Sequence, residues 1–401
     1  MKSVALMLPA MRMGGAEKIA LNFLSELCKY YDVTIILNKR EGELLSLIPE
    51  NIPVIEDPII DFKKLFLDDI RHIRLSKLFQ DALYYYRIKT QWCPERNYRY
   101  IIDRTPPIRK KFDIAIAYVA NVSTQIFSIC DRVNAELKIA WIHGETTQLK
   151  DTQLFSSCYR TFDHIFTVSK ASHCHFVNRF PECSGITSVY YNPINKEEIL
   201  RKSLEYDSDC SFDEKYTNIV TVGRFSTEKG FDMIPEIVRK LTDSGFNIRW
   251  YIIGDGPLMG RIQKLGINEK VDDRIFFLGS RLNPYPFIKA CDIYVQPSYE
   301  EGYSTTICEA GILGKAIVGT TTSGGIREQI EDGLNGILSD PTPGHLAQKI
   351  SLLIQDKKLL DSIVQEVRHV DFVHTNEIVK LNSLILEFFE KNLDGNSEFE
   401  R

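Results

Sequence analysis

No stretch of this 401-residue sequence reaches the roughly 18 consecutive apolar residues that a membrane-spanning helix needs, so no membrane span is expected. No C-x-x-C pair occurs among the nine cysteines, at 28, 93, 130, 158, 174, 183, 210, 291 and 308. An odd and unspaced set of this kind argues for a reducing compartment, and so for the cytoplasm. Strong net charge is missing too: the balance is −5, and nothing at the level of the whole chain suggests a nucleic-acid partner. The amino-terminal MKSVALMLPAM has no A-x-A site, and its apolar run stops at Arg12 before a glycine loop and a helix pattern, so it reads as a strand and not as a signal peptide. No internal repeat is convincing. What the chain does have is 44% hydrophobic residues, enough for a sizeable core, and a length suited to about two domains.

Short apolar runs alternate with amphipathic helical segments along nearly the whole sequence. In the first half the runs are SVALMLP (3–9), DVTIILN (32–38), FDIAIAYVA (112–120), LKIAWIH (137–143), HIFTVS (164–169) and ITSVYYN (186–192). In the second half they are NIVTVGR (218–224), IRWYIIG (248–254), RIFFLG (274–279), DIYVQPS (292–298), KAIVGT (315–320) and GILS (336–339). Continuous apolar strands separated by helices imply parallel sheets covered on both faces. The fold class read from this rhythm is α/β, with two doubly wound Rossmann-like domains in series facing across a cleft. Residues 1–200 are expected to form the first domain, with an insert near 63–111, and residues 201–374 the second, across a polar boundary at 195–217. A final helical segment, 375–401, is expected to cross back onto the first domain. Open α/β sheets bind ligands outside the carboxyl ends of their strands, so motifs that end a strand carry the most information.

Four such motifs stand out. MRMGGAEK (11–18) follows the first strand; Gly14 and Gly15 permit close backbone approach to a ligand, and the amides that open the next helix attract anions. Any strand-to-helix turn can use two glycines, so this motif is weak alone. VGRFSTEKGFD (222–232) places Arg224 and Lys229 five residues apart beyond a strand end. A planar guanidinium fork beside a mobile ammonium suits a diphosphate, although solvated surface charge would look the same in isolation. YIIGDGPLMGRI (251–262) spaces its glycines as G-x-G-x-x-x-G, one residue too many for a dinucleotide fingerprint, and reads as a tight turn.

The fourth motif is EEGYSTTICEAG (300–311), where the strand DIYVQPS gives way to a turn at Glu301 and Gly302 and a helix is predicted from about Ser304, Thr305 and Thr306. The first amides of that helix offer a phosphate site, helped by its dipole. Glu309 falls about one turn further on, where it can accept hydrogen bonds from vicinal hydroxyls such as those of a ribose. Glu301, in the loop, is left to reach a sugar beyond the phosphates.

Together, VGRFSTEKG, IIGDGP, PSYEEGYSTTICEAGILGKAIVGT and SGGIREQIEDGLNGIL resemble the family-four retaining glycosyltransferases, which have the GT-B fold. The likeness is nearly continuous from about Ile219 to Asp340, and in the first half is confined mainly to the glycine loop and the surroundings of His143. The resemblance implies that Glu301 and Glu309, as an E-x7-E pair, contact the donor sugar and the nucleotide ribose. It implies that Arg224 and Lys229 bind the donor diphosphate, that Gly14 and Gly15 approach the same phosphates or the acceptor, and that His143 lies near the transferred sugar. It further implies retention at the anomeric carbon with no metal or other cofactor, a donor phosphate oxygen taking the acceptor proton. Glu301 is not expected to act as a nucleophile.

Rival signals are present. Asp207-Ser208-Asp209 spells the D-x-D that holds a cation in other transferases, but it sits in the polar boundary and not at a strand end. His173-Cys174-His175 falls on a predicted helix, where residues two apart diverge, so a structural or exposed role is expected. His143 could equally be a core histidine.

The segment 63–111 departs from the strand-helix rhythm. It holds thirteen Lys/Arg against five Asp/Glu, with Leu75, Leu78, Phe79, Ala82 and Tyr86 as an apolar stripe and Tyr84, Tyr85, Trp92, Tyr98 and Tyr100 as amphipathic rings. Basic residues beside an anionic bilayer contribute roughly 1 kcal/mol each, so the insert is a candidate for peripheral contact with the inner face of the cell membrane. The other reading is a solvated insert whose stripe packs on the first domain. The leading expectation is transfer of a hexose from a nucleotide-sugar, UDP-linked before GDP-linked, to a lipid-linked glycan in capsule, lipopolysaccharide or other cell-surface polysaccharide assembly. A sugar-nucleotide 2-epimerase and a non-catalytic nucleotide-sugar-binding subunit are the alternatives.

Overall fold

The computed structural model describes residues 1–57, 99, 102–144, 146, 149, 151–210, 212–322, 324–374 and 376–398. The apolar stripe and the aromatic rings expected in the insert lie outside the described residues; of its described end, Ile102 is buried in the core of the first half and Arg99 pairs with Asp131 at 2.7 Å.

Two parallel sheets organise the chain. The first is ordered β3-β2-β1-β4-β5-β6-β7, from β1 (Ser3–Leu8), β2 (Asp32–Leu37), β3 (Val54–Glu56), β4 (Lys111–Ala117), β5 (Asn134–Ile142), β6 (His164–Thr167) and β7 (Thr187–Val189). The second is ordered β10-β9-β8-β11-β12-β13, from β8 (Thr217–Val222), β9 (Ile248–Ile253), β10 (Ile275–Gly279), β11 (Ile293–Gln296), β12 (Ala316–Thr320) and β13 (Ile337–Ser339). All twelve apolar runs of the sequence are strands. The strand not anticipated, β3, is three residues long behind Pro53 at the sheet edge, too short to show a pattern.

Both sheets reverse their strand order once, between β1 and β4 and between β8 and β11. At such a reversal the following loops diverge to opposite faces and leave a crevice at the carboxyl ends. Four strands there are buried along nearly their whole length, which explains their continuous apolar sequences. Under the first crevice, Phe23, Tyr118, Trp141 and Tyr190 pack ring against ring, Trp141 lying 4.8 Å from Phe23 and 4.4 Å from Tyr190 by centroid. Rigid aromatic packing of this kind fixes the loops that leave β4, β5 and β7.

Five helices frame the crevices and join the two halves: α1 (Gly15–Leu27), α2 (Lys170–Arg179), α3 (Thr305–Ile312), α4 (Gly324–Gln329) and α5 (Glu377–Glu398). The last of these lies against the first sheet's side of the molecule. Tyr31 donates to Asn382 at 2.7 Å, Tyr191 N–H to Glu377 at 3.1 Å, and Lys2 Nζ sits 3.2 Å from the Phe389 ring centre. Glu328, on α4, accepts from the backbone amides of Lys170 (3.0 Å) and Ala171 (2.6 Å) and from the Tyr191 hydroxyl (3.1 Å). A carboxylate of the second half thus caps a helix of the first, and charge-assisted bonds of this type are the stronger ones.

Candidate functional site

The carboxyl ends of the two sheets enclose a cavity of about 460 Å³. Gly14, Gly15, His143, Arg224, Lys229, Glu301, Ser304, Thr305, Thr306 and Glu309 all line it. Residues from strand ends up to 295 positions apart in sequence are thereby brought to one place, and the physical cause is the pair of switch points.

Two helix amino termini meet in the cavity. α1 begins after Gly14 and α3 after Ser304, and at neither start does the N-cap residue bond the free amides through a side chain, although on α1 the Glu17 carboxylate accepts from its own backbone amide. A Cβ added to Gly15 would lie 4.0 Å from Thr305 Oγ1, so the two ends face each other. The first-turn amides of a helix have no intrahelical partner, and opposed termini focus positive potential on the space between them. Ser304 is almost fully buried; its amide donates to Gln329 (3.0 Å), its carbonyl accepts from Gln329 (2.7 Å), and its hydroxyl meets Thr306 (3.1 Å). Ser304 therefore fixes the turn, and the uncommitted amides begin at Thr305.

Arg224 and Lys229 leave β8 on a loop pressed against the end of β11. The loop turns at Gly230, where φ is +65° and a Cβ would stand 2.2 Å from the Pro297 carbonyl oxygen, a position only glycine fills. Lys229 Nζ then reaches Glu301 Oε1 at 2.6 Å, and Ser298 (2.9 Å) and Gln296 (3.1 Å) donate to the same oxygen. Three donors hold the Glu301 carboxylate in one orientation at the mouth of the turn.

Glu309 is 5% exposed. Its Oε1 accepts from Lys18 Nζ (3.1 Å) on α1 and from the Tyr285 hydroxyl (3.2 Å). Its Oε2 is enclosed and has no partner among the described residues. A buried carboxylate oxygen without a donor is costly, and one lining a cavity is placed to accept from a ligand hydroxyl. Burial, with Glu309 next in importance, pushes the Tyr285 hydroxyl well above the usual phenol range. It therefore stays protonated and donates.

His143 follows β5, with its ring 4.7 Å from that of Tyr118 and its Nε2 enclosed without a partner among the described residues. Burial lowers its pKa to about 4, against a smaller opposing contribution from a Tyr118 backbone hydrogen bond. The imidazole is thus neutral at neutral pH. Because the folded value lies below the unfolded one of 6.5, the associated stability is complete above pH 6.5 and is lost as pH falls toward 4. At pH 5 the expected loss is on the order of 2 kcal/mol from this group. Denaturant unfolding at pH 7 and pH 5, in wild type and in H143Q, isolates it: the variant should lose less between the two pH values, and an unchanged difference would remove the assignment.

Sequence reading missed several members of the wall. Lys18 and Glu17 sit inside the quoted glycine motif, Asn121 follows the β4 run and Asn192 is the last residue of the β7 run, so the strand-end rule picks out their places but not what each faces. The Glu17 carboxylate folds back over the loop, within 2.2 Å of where a Gly14 Cβ would stand, and burial raises its pKa against the charge of Arg224. Tyr285 had no sequence signal. The D-x-D carboxylates face Arg281, Asp207 at 3.7 Å and Asp209 closer, and His173, Cys174 and His175 lie on α2. Among the described residues no group of three or more His, Cys, Asp or Glu is arranged to hold a metal ion.

Residues 204–370 match the family described as "Glycosyl transferases group 1". A Campylobacter jejuni protein, N-acetylgalactosamine-N,N'-diacetylbacillosaminyl-diphospho-undecaprenol 4-alpha-N-acetylgalactosaminyltransferase, is 22% identical over 90% of this chain and 92% of its own length. The lipopolysaccharide core biosynthesis glycosyltransferase LpsE of Rhizobium meliloti is 29% identical over 35% of this chain and 40% of that protein. Among solved structures, Anabaena Alr3699/HepE in complex with UDP-glucose superposes with a TM-score of 0.69 at 18% identity, covering 98% of this chain and 100% of that one. WaaG, a glycosyltransferase involved in lipopolysaccharide biosynthesis, gives 0.64 at 16% identity, over 95% and 99%. The α/β expectation of two doubly wound domains across a cleft is borne out by these likenesses.

Proposed function

We propose that this chain, whose residues 204–370 match the glycosyl transferases group 1, is a glycosyltransferase that moves a hexose from a UDP-sugar to a lipid-linked glycan with retention at the anomeric carbon. The observation that carries this reading is the meeting of Thr305, Arg224, Lys229 and the unpartnered Glu309 oxygen on one cavity wall. The donor diphosphate lies between the two helix starts, with Arg224 and Lys229 as counter-charges. Glu309 accepts from ribose hydroxyls through Oε2, and Glu301 faces the transferred sugar. As the bond to the leaving diphosphate breaks, negative charge grows on its oxygens, where fixed cations and amides stabilise it most. The acceptor hydroxyl attacks from the same face and its proton passes to a donor phosphate oxygen. No metal enters this scheme, the charge compensation coming from the two side chains and the helix ends.

The UDP part of the proposal is supported by the UDP and UDP-glucose complexes of HepE, and the lipid-linked acceptor by the diphospho-undecaprenol named for the Campylobacter relative. No helix among the described residues is long and apolar enough to cross a membrane. Work at the inner membrane face would then rest on peripheral contact, as proposed for the insert.

A thermal-shift panel of UDP- and GDP-sugars tests the donor. A ligand at 100 times its Kd stabilises the folded state by about 2.7 kcal/mol, so UDP-sugars should raise the Tm and GDP-sugars should not. E309A should weaken UDP binding at least tenfold, since two ribose hydroxyls lose a charged acceptor at about 1.5 kcal/mol or more. Stabilisation by GDP-sugars alone, or unchanged UDP affinity in E309A, would reject the donor assignment.

A further inference from the structure

Behind the turn at Glu301 and Gly302, three rings from three separate segments meet. Tyr303 belongs to the turn itself, Tyr191 follows β7 in the first half, and His374 precedes α5, the helix that packs back on the first half. The Tyr303 hydroxyl and His374 Nε2 are 2.6 Å apart. The imidazole lies flat on the Tyr191 ring, with centroids 4.2 Å apart and planes 14° from parallel. Tyr191 is itself held at both ends, by Glu328 at its hydroxyl and Glu377 at its amide. His374 occupies this place with a φ of +49°, in the left-handed region; Lys270 is the other non-glycine residue with positive φ among the described residues. A backbone of that kind persists only where its surroundings over-determine it.

The anchors of the turn differ in where they come from. The Glu301 carboxylate is held by Lys229, Gln296 and Ser298, and the Ser304 amide by Gln329, all within the second half. Tyr303, between them, is tied to His374 and through it to Tyr191, and so to the first half. Tyr303 is 8% exposed and lines the cavity, whereas His374 stands outside the cavity wall. Burial lowers the His374 pKa, against smaller opposing effects of Asp371, Glu377 and Glu328, and burial lifts the Tyr303 hydroxyl far above the usual phenol range. A phenol that keeps its proton and a neutral imidazole make a matched donor and acceptor.

We propose that His374 is a positioning residue for the sugar-facing turn: through Tyr303 it makes the setting of Glu301 depend on how the segment before α5 is seated on Tyr191. Contacts behind a functional group fix its geometry, and here that support is drawn from the other half of the molecule. The inference rests on the proposed reading in which Glu301 faces the transferred sugar of a UDP-sugar. Isothermal titration of wild type, Y303F, H374F, H374Q and the double variant Y303F/H374F tests it, with UDP and with the tighter-binding of UDP-glucose and UDP-N-acetylglucosamine. UDP reports on the phosphate and ribose contacts; the ratio of UDP-sugar to UDP affinity reports on the turn.

H374F keeps a flat ring for Tyr191 but offers no acceptor, so its affinity ratio should fall about fivefold or more while UDP affinity stays within about twofold of wild type. Y303F, which deletes only the hydroxyl, should do the same. The double variant should fall no further than H374F, because the two substitutions remove one shared bond. H374Q, with an amide oxygen in reach of the phenol, should recover most of the ratio. A wild-type ratio in both single variants would overturn the proposal even if their Tm fell, since that is the outcome of a merely structural contact. So would equal loss of UDP and UDP-sugar binding, or a double variant that falls by the product of the singles. Should H374F fail to fold, Y303F removes the same bond and carries the same outcomes. Absence of UDP binding by wild type would strike the donor reading instead.

Discussion

Replacing Arg224 and Lys229 together by alanine is expected to lower kcat/KM by about 10² to 10⁴. Each lines the cavity, and in the proposed reading each gives the donor diphosphate a charge-assisted hydrogen bond at roughly 1.5 to 3 kcal/mol, where every 1.4 kcal/mol is about tenfold. The loss should appear in kcat as well as in donor affinity, because charge on the leaving oxygens grows in the transition state. Lys229 has a second effect, since without it Glu301 Oε1 loses a charged donor that acts beside Ser298 and Gln296. K229A alone should therefore disturb sugar discrimination as well as phosphate affinity. Titration with UDP and single-turnover kinetics check both parts; wild-type UDP affinity in the double variant would remove these residues from the phosphate site.

Gly302→Ala is expected to reduce kcat at least 100-fold while leaving the far-UV spectrum of the protein nearly unchanged. The new methyl would stand 2.3 Å from the His143 carbonyl oxygen and 2.9 Å from the Gly144 Cα, both backbone atoms that cannot rotate away. One wall of the cavity must move from the other, and a displacement of about 1 Å in a reacting geometry costs on the order of 10² in rate. The helices and strands on either side have no reason to change. Wild-type turnover in this variant would mean that the enclosed arrangement of His143 against Gly302 is not the one in which the reaction runs.

Much of this architecture was legible in the residues, for a physical reason. Strands buried on both faces must be apolar throughout, and VALML, TIIL, IAIA and YIIG declare themselves by composition. β3 did not, because Val54, Ile55 and Glu56 form an edge with too few residues to show a rhythm. In the site, Arg224, Lys229, Thr305 and Glu309 were visible because each sits at a fixed distance beyond a strand end. Lys18, Tyr285 and Asn192 were harder to see, because their importance arises from what lies across the cavity from them. Lys18 is an ordinary helix lysine until Glu309 is placed 3.1 Å away, although 291 residues separate the two in the chain. Ser304 shows the reverse: as the predicted helix start it was expected to offer its amide to a phosphate, and the structure commits that amide to Gln329.

The Glu328 clasp bears on how portable the two halves are. Each half has its own sheet, and a chimaera joined near residue 203 would look permissible on topology alone. The amino end of α2, however, finishes its hydrogen bonding on a side chain borrowed from α4. A graft whose new carboxyl half lacks an acid at that spot would leave the backbone of Lys170 and Ala171 to fray, so an exchange of the second half between relatives requires carrying Glu328 along with the turn at Glu301.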